Sequence, residues 1–211
     1  TSAGTRVACG LIEATTGEIV AVGSYPGYSG VTNATGTLLV GPNSEGGVTL
    51  TGTIINLEAD STKGIHIHSG YSCSDGADDD GVGGHYYDGL DDDPWTTTYT
   101  SDSEGVAAIS ITLSDFTMSE TRPVAYRTVV VHASDGRAGC GVIGTATQGF
   151  ATLATYPGYS GAYVNISGSV AVADASDGIT LTATLGGLEA SASGGIHIHS
   201  GFSCDDADDV G

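Results

Sequence analysis

The chain has 211 residues, 39% of them apolar, with 34 glycines and only five basic residues against 25 acidic ones. A formal net charge of -20 excludes the basic face that nucleic-acid binding needs and disfavours anionic membrane surfaces. No apolar run approaches the ~18 residues of a membrane span, and no stretch sustains a helical period, so short strands joined by turns are expected.

Apolar and β-branched alternation between turn signals predicts strands over 19–24, 35–40, 48–57, 64–69, 95–100, 106–113, 126–133 and 140–144. In the sixth, Ala107, Ile109, Ile111 and Leu113 alternate with Ala108, Ser110 and Thr112. Turns are expected at Pro26-Gly27, Pro42-Asn43, Glu45-Gly46-Gly47 and Ser134-Asp135-Gly136. This spacing predicts an antiparallel sandwich or barrel. The Asp- and Gly-rich stretch 72–94 is too long for an ordinary connection and is expected either to carry function or to be disordered.

The strand Gly64-Ile65-His66-Ile67-His68 puts both histidines on one face and both isoleucines on the other. It can therefore hold a metal and pack a core at once. His85 follows Gly83-Gly84 in the long loop, and His132 ends the apolar run Thr128-Val129-Val130-Val131. His197 and His199 repeat the first pair. Imidazoles with no thiolate and no required carboxylate suit a tetragonal Cu(II) site better than Ca²⁺ or Mg²⁺. Zinc with three or four histidines is the chemical competitor. Most of the carboxylates read as a solvated acidic surface. The runs 74–80 and 88–93 offer a weaker reading as calcium or copper storage, but their spacing does not complete a Ca²⁺ loop.

An internal repeat recurs at an offset of 131 positions: Cys9 and Cys140, Tyr25 and Tyr156, His66 and His197, Cys73 and Cys204. Residues 1–80 are matched by 132–211 without a gap, and 81–131 occur once. The expected organisation is the last strand of a preceding repeat (1–13), one complete unit (14–144) and the first half of a following repeat (145–211). Such a chain is expected to be cut from a longer tandem array. The four cysteines and the glycosylation sequons at Asn33 and Asn165 favour an extracellular, secreted protein.

Gly64 to His68, Gly83-Gly84-His85, Val129 to His132 and Arg137-Ala138-Gly139-Cys140-Gly141-Val142-Ile143-Gly144 resemble, in order, the Cu/Zn superoxide dismutase family. The resemblance implies an eight-stranded antiparallel Greek-key barrel, here tandemly repeated. It implies copper ligands at His66, His68, His85 and His132, and a disulfide between Cys73 and Cys140. It also gives Arg137 the role of guiding superoxide, and His85 that of accepting and delivering a proton.

No histidine lies between His85 and His132, and only four residues separate His132 from Arg137. The zinc site and the long electrostatic loop of the family are thus both missing, which resembles its copper-only branch. Without zinc, His85 needs a carboxylate to fix its ring; Asp88, Asp91, Asp92, Asp93 and Asp135 are the options. Cys9 and Cys204 are left over, with partners expected outside the chain. The alternative is a structural glycoprotein whose neighbouring repeats pack head to tail in a filament or coat, with the metal site vestigial or stabilising.

Overall fold

The computed structural model describes residues 5–74, 81–163, 165–205 and 210. Its strands, in chain order, are β1 (Ala8–Cys9), β2 (Glu13–Ala14), β3 (Glu18–Ser24), β4 (Thr35–Pro42), β5 (Val48–Ile55), β6 (Thr62–His68) and β7 (Thr98–Thr100). They continue with β8 (Ala107–Leu113), β9 (Thr128–Ala133), β10 (Gly136–Val142), β11 (Thr145–Ala146), β12 (Gly149–Thr155), β13 (Ser167–Ala175) and β14 (Gly178–Gly186). Among the described residues there is no helix.

Every predicted strand is present, most within two residues of the expected bounds. Eight strands in the order β7-β6-β9-β10-β3-β4-β5-β8 form a nearly closed antiparallel barrel. Period-two alternation fills it: Val20 and Val22, Leu38 and Val40, Val48 and Leu50, Ile65 and Ile67, and Val129 and Val131 all point into one core. Turn chemistry closes the hairpins as expected. Gly27 supplies a positive φ of 75° after Pro26, and Asn43 Oδ1 takes the Glu45 and Gly47 N–H groups at 2.9 Å each.

The strand expected over 95–100 begins only at Thr98. Upstream of it the backbone is diverted to side chains. Asp93 Oδ1 accepts the Trp95 N–H at 3.0 Å, and the Trp95 indole donates to Tyr86 O at 2.7 Å.

A second sheet, β1-β12-β13-β14 with β2 also on β12, forms a half-barrel. It packs on the outer face of β3, β4 and β5. Phe150, Ala171, Ile19 and Leu39 make a small apolar cluster there. Buried hydroxyls join it: Thr37 and Thr184 at 2.8 Å, and Ser169 donating to Thr37 O at 2.7 Å. A one-residue slip explains why polar side chains can lie at this contact. Thr37 pairs Thr53 in the barrel, whereas its counterpart Gly168 pairs Leu185 rather than Thr184. A slip of one reverses the faces of a strand. Ser169 and Ala171, which stand where Leu38 and Val40 do, are thereby turned outward onto the barrel.

Both sheets carry a disulfide. Cys73–Cys140 closes 67 residues of chain, worth about 4 kcal/mol in the chain-entropy description. Cys9 pairs with Cys204 across 195 residues. This corrects the expectation that their partners lie outside the chain. The reason is the placement of the first strand. Ala8 and Cys9 pair Thr155 and Ala154 in the register that Gly139 and Cys140 adopt against Ser24 and Gly23. Residues 8–9 thus do for the half-barrel what β10 does for the barrel.

Candidate metal centre

Three elements of the barrel bring four imidazoles together. β6 supplies His66 and His68, and β9, its antiparallel neighbour, supplies His132. The loop after β6 returns His85, which forms an isolated bridge to His68. That turn back rests on Gly70 and Gly83. A Cβ on Gly70 would lie 2.0 Å from Gly81 O, and Gly83 has a φ of 74°. One ligand atom from each of the four histidines lies within 4.8 Å of the others.

Each ring has a nitrogen to spare. His68 Nδ1–H donates to Gly83 O at 2.9 Å, which leaves Nε2 as a lone pair. His85 Nδ1–H donates to Asp93 Oδ2 at 2.7 Å, which likewise leaves Nε2. His66 Nδ1, His68 Nε2 and His132 Nε2 are buried without a hydrogen-bond partner. Unpaired buried nitrogens are costly unless something binds them, so the donor set fits an imidazole-ligated ion. Tyr99 holds the frame, its hydroxyl donating to His132 O at 2.6 Å.

The His66, His68 and His132 rings are also kept neutral, as ligation requires. Burial pushes His68 down to about 3, and Arg137, His85 and His132 nearby press the same way. Burial again lowers His66 to about 4, assisted by His85. His132 falls to about 4 through burial, then through His66, His85 and Arg137. Asp93 differs. Burial opposes its charge, yet the Trp95 N–H and His85 hold its carboxyl below the usual range.

Of the five carboxylates offered by the sequence for His85, the structure selects Asp93. Asp88 instead lines a surface cavity of about 520 Å³ beside His85, together with Tyr86, Leu90 and Arg127. Asp135 accepts a hydrogen bond from Tyr28 at 2.7 Å. Residues 75–80 of the acidic run 74–80 lie outside the described residues. Arg137 stands directly across the ladder from His132, at an irregularity in β10. The disulfide Cys73–Cys140 ties the start of the histidine loop to β10. Asn33 and Asn165 are both exposed.

His197 and His199 do not join this centre. They lie outside any strand and are exposed, their ring centroids 6.4 Å apart. In the barrel, β6 is held between β7 and β9, and β7 and the first four residues of β9, the ones that pair with β6, come from the stretch that occurs once in the sequence. Ile196 and Ile198 accordingly remain 51% and 58% exposed, where Ile65 and Ile67 are at most 1%.

Sequence reasoning did not find three supporting residues: Tyr99, Gly83 as the acceptor for His68, and Tyr25 against Arg137. The Tyr25 signal was available, since its motif recurs at Tyr156 with an arginine at the matching offset. No protein-family model matches the chain, and no curated protein matches it significantly.

Proposed function

We propose that the protein is a copper-only superoxide dismutase, an extracellular member of the Cu/Zn superoxide dismutase family with its Greek-key barrel in tandem repeats. The observation that carries this reading is the convergence of His66, His68, His85 and His132, with the Asp93 carboxylate behind His85. A carboxylate there fixes the ring orientation that a second metal would otherwise fix. Zinc alone has no second oxidation state.

Copper, when bound, supplies two oxidation states, so that one superoxide is oxidised to O₂ and a second, with two protons, is reduced to hydrogen peroxide. The chain supplies the rest. Asp93 keeps the His85 Nδ1 proton in place, so Nε2 is the atom at which His85 accepts and gives a proton. Arg137 sets a fixed positive charge across from His132. The net charge of -20 repels an anion at long range, but salt screens it beyond roughly 8–10 Å, and the local cation then decides the approach. Two disulfides fit an oxidising compartment, and the exposed sequons fit a glycoprotein.

A second reading is favoured by the hydroxyl-lined contact of Thr37, Ser169 and Thr184. It makes the protein a structural array whose neighbouring repeats pack head to tail, with the metal site only stabilising. Metal analysis and stopped-flow kinetics separate the two. The dismutase should bind about one copper per barrel and little zinc. His132→Ala should abolish dismutation while the barrel stays folded. Stoichiometric zinc overturns the copper-only assignment. A copper-loaded protein without dismutation leaves the structural array.

A further inference from the structure

We infer that Tyr25 is the positioning residue for Arg137, holding the guanidinium at the mouth of the four-histidine site. The inference rests on the reading of Arg137 as the anion guide and adds what keeps that charge in place. β10 changes register between Arg137 and Gly139. Bulges of this kind re-aim a side chain, but they need their freed backbone groups bonded. Tyr25 does both jobs. Its N–H donates to Ala138 O at 2.9 Å, at the irregular residue, and its hydroxyl accepts from Arg137 Nη1 at 3.1 Å. The guanidinium carbon lies 5.8 Å from the ring centroid. Tyr25 is itself only 5% exposed and packs with Cys140, Val82 and Val130, with Cys73 against the same cluster, so its ring is immobilised by the disulfide region.

The same clamp is built a second time from different stretches of chain. Tyr156 N–H donates to Val7 O at 2.8 Å, and Arg6 Nη1 donates to Tyr156 Oη at 2.9 Å. The Arg6 guanidinium lies 5.7 Å from that ring. The half-barrel thus keeps the arginine–tyrosine geometry although its histidines are not assembled. The tyrosine therefore belongs to the arginine and not to the metal ligands.

The test uses the full chain loaded with Cu(II), with azide as a small anionic probe followed by its charge-transfer absorption. Arg137→Ala measures what the cation contributes. Tyr25→Phe removes the hydroxyl and keeps the ring; it should weaken azide binding about three- to ten-fold, the range of one hydrogen bond. It should also flatten the salt dependence of the superoxide rate and, in the diamagnetic metal-free protein, raise the mobility of the Arg137 Nε–H in NMR relaxation. Tyr156→Phe should leave azide binding unchanged. If Arg137→Ala weakens azide but Tyr25→Phe changes neither azide affinity nor Arg137 mobility, the positioning role is wrong. If Arg137→Ala itself leaves azide and rate untouched, the anion-guide reading fails, and this inference with it.

Discussion

His85 donates its Nδ1 proton to Asp93 at 2.7 Å, and the other Asp93 oxygen takes the Trp95 N–H at 3.0 Å. The carboxylate is therefore fixed by the backbone before it fixes the imidazole. Removing it should free the ring. Asp93→Ala is expected to lower copper affinity about 10- to 100-fold, the usual effect of losing an outer-shell partner. Competition against a calibrated chelator measures this. Affinity equal to the parent's would mean that His85 is oriented by something else.

That pair marks the limit of what the sequence could show. His66 and His68 were legible because a period of two puts them on one face, and Ile65 and Ile67 secured the strand. His132 was legible from the apolar run it ends. Choosing Asp93 was not possible from spacing, because Asp88, Asp91, Asp92 and Asp93 crowd one loop and only the fold decides which one reaches back. The shortened β7 has the same cause, since Trp95 and Asp93 divert the backbone. The bond between Cys9 and Cys204 was hidden more deeply. It depends on β1 and β2 lying along β12, a pairing between stretches far apart in the chain. The offset of 131 predicted the register once that pairing was known, but not the pairing.

The second disulfide should act on one unit only. Cys204→Ser opens the loop between Cys9 and Cys204; with the barrel inside that loop still folded, the flexible part is shorter than the 195-residue separation and is worth about 4 kcal/mol by chain entropy. The loss is expected to fall on β12, β13 and β14, seen as faster amide exchange there. Copper binding at the four histidines should not change. Faster exchange across β6 and β9 as well would make the two units one cooperative body.

Phe150 tests the contact between the sheets. It is 7% exposed and packs with Ile19, Ala171 and Leu39. Phe150→Ala should cost about 3 kcal/mol and expose Ile19 without disturbing the barrel interior, where Val20 and Val22 point the other way. Differential scanning calorimetry should then resolve an early transition for the half-barrel. A single transition at the parent temperature would mean that the Thr37, Ser169 and Thr184 hydroxyls hold the contact unaided.

The buried histidines give metal-free protein a pH dependence of definite sign. From an ordinary value of 6.5, burial takes His66 and His132 to about 4 and His68 to about 3 in the folded state. The unfolded chain protonates near 6.5, so between these values it binds more protons than the folded one. Stability is then full above about pH 6.5 and is lost as pH falls toward 4. Glu18 works in the opposite sense, since burial raises its carboxyl, but it is one group against three. The window from pH 7 to 5 isolates the effect, because the carboxylates lowered in the fold, Glu58 and Asp93, stay ionised there. Melting temperature of the metal-free protein should fall steadily across that window. His68→Gln should flatten the fall, because the most depressed of the three no longer titrates. Bound copper should hold the melting temperature up until protons compete for the same nitrogens. A flat profile without metal would mean that the imidazoles are hydrated in solution, and the unpartnered nitrogens would then lose their meaning as a waiting ligand set.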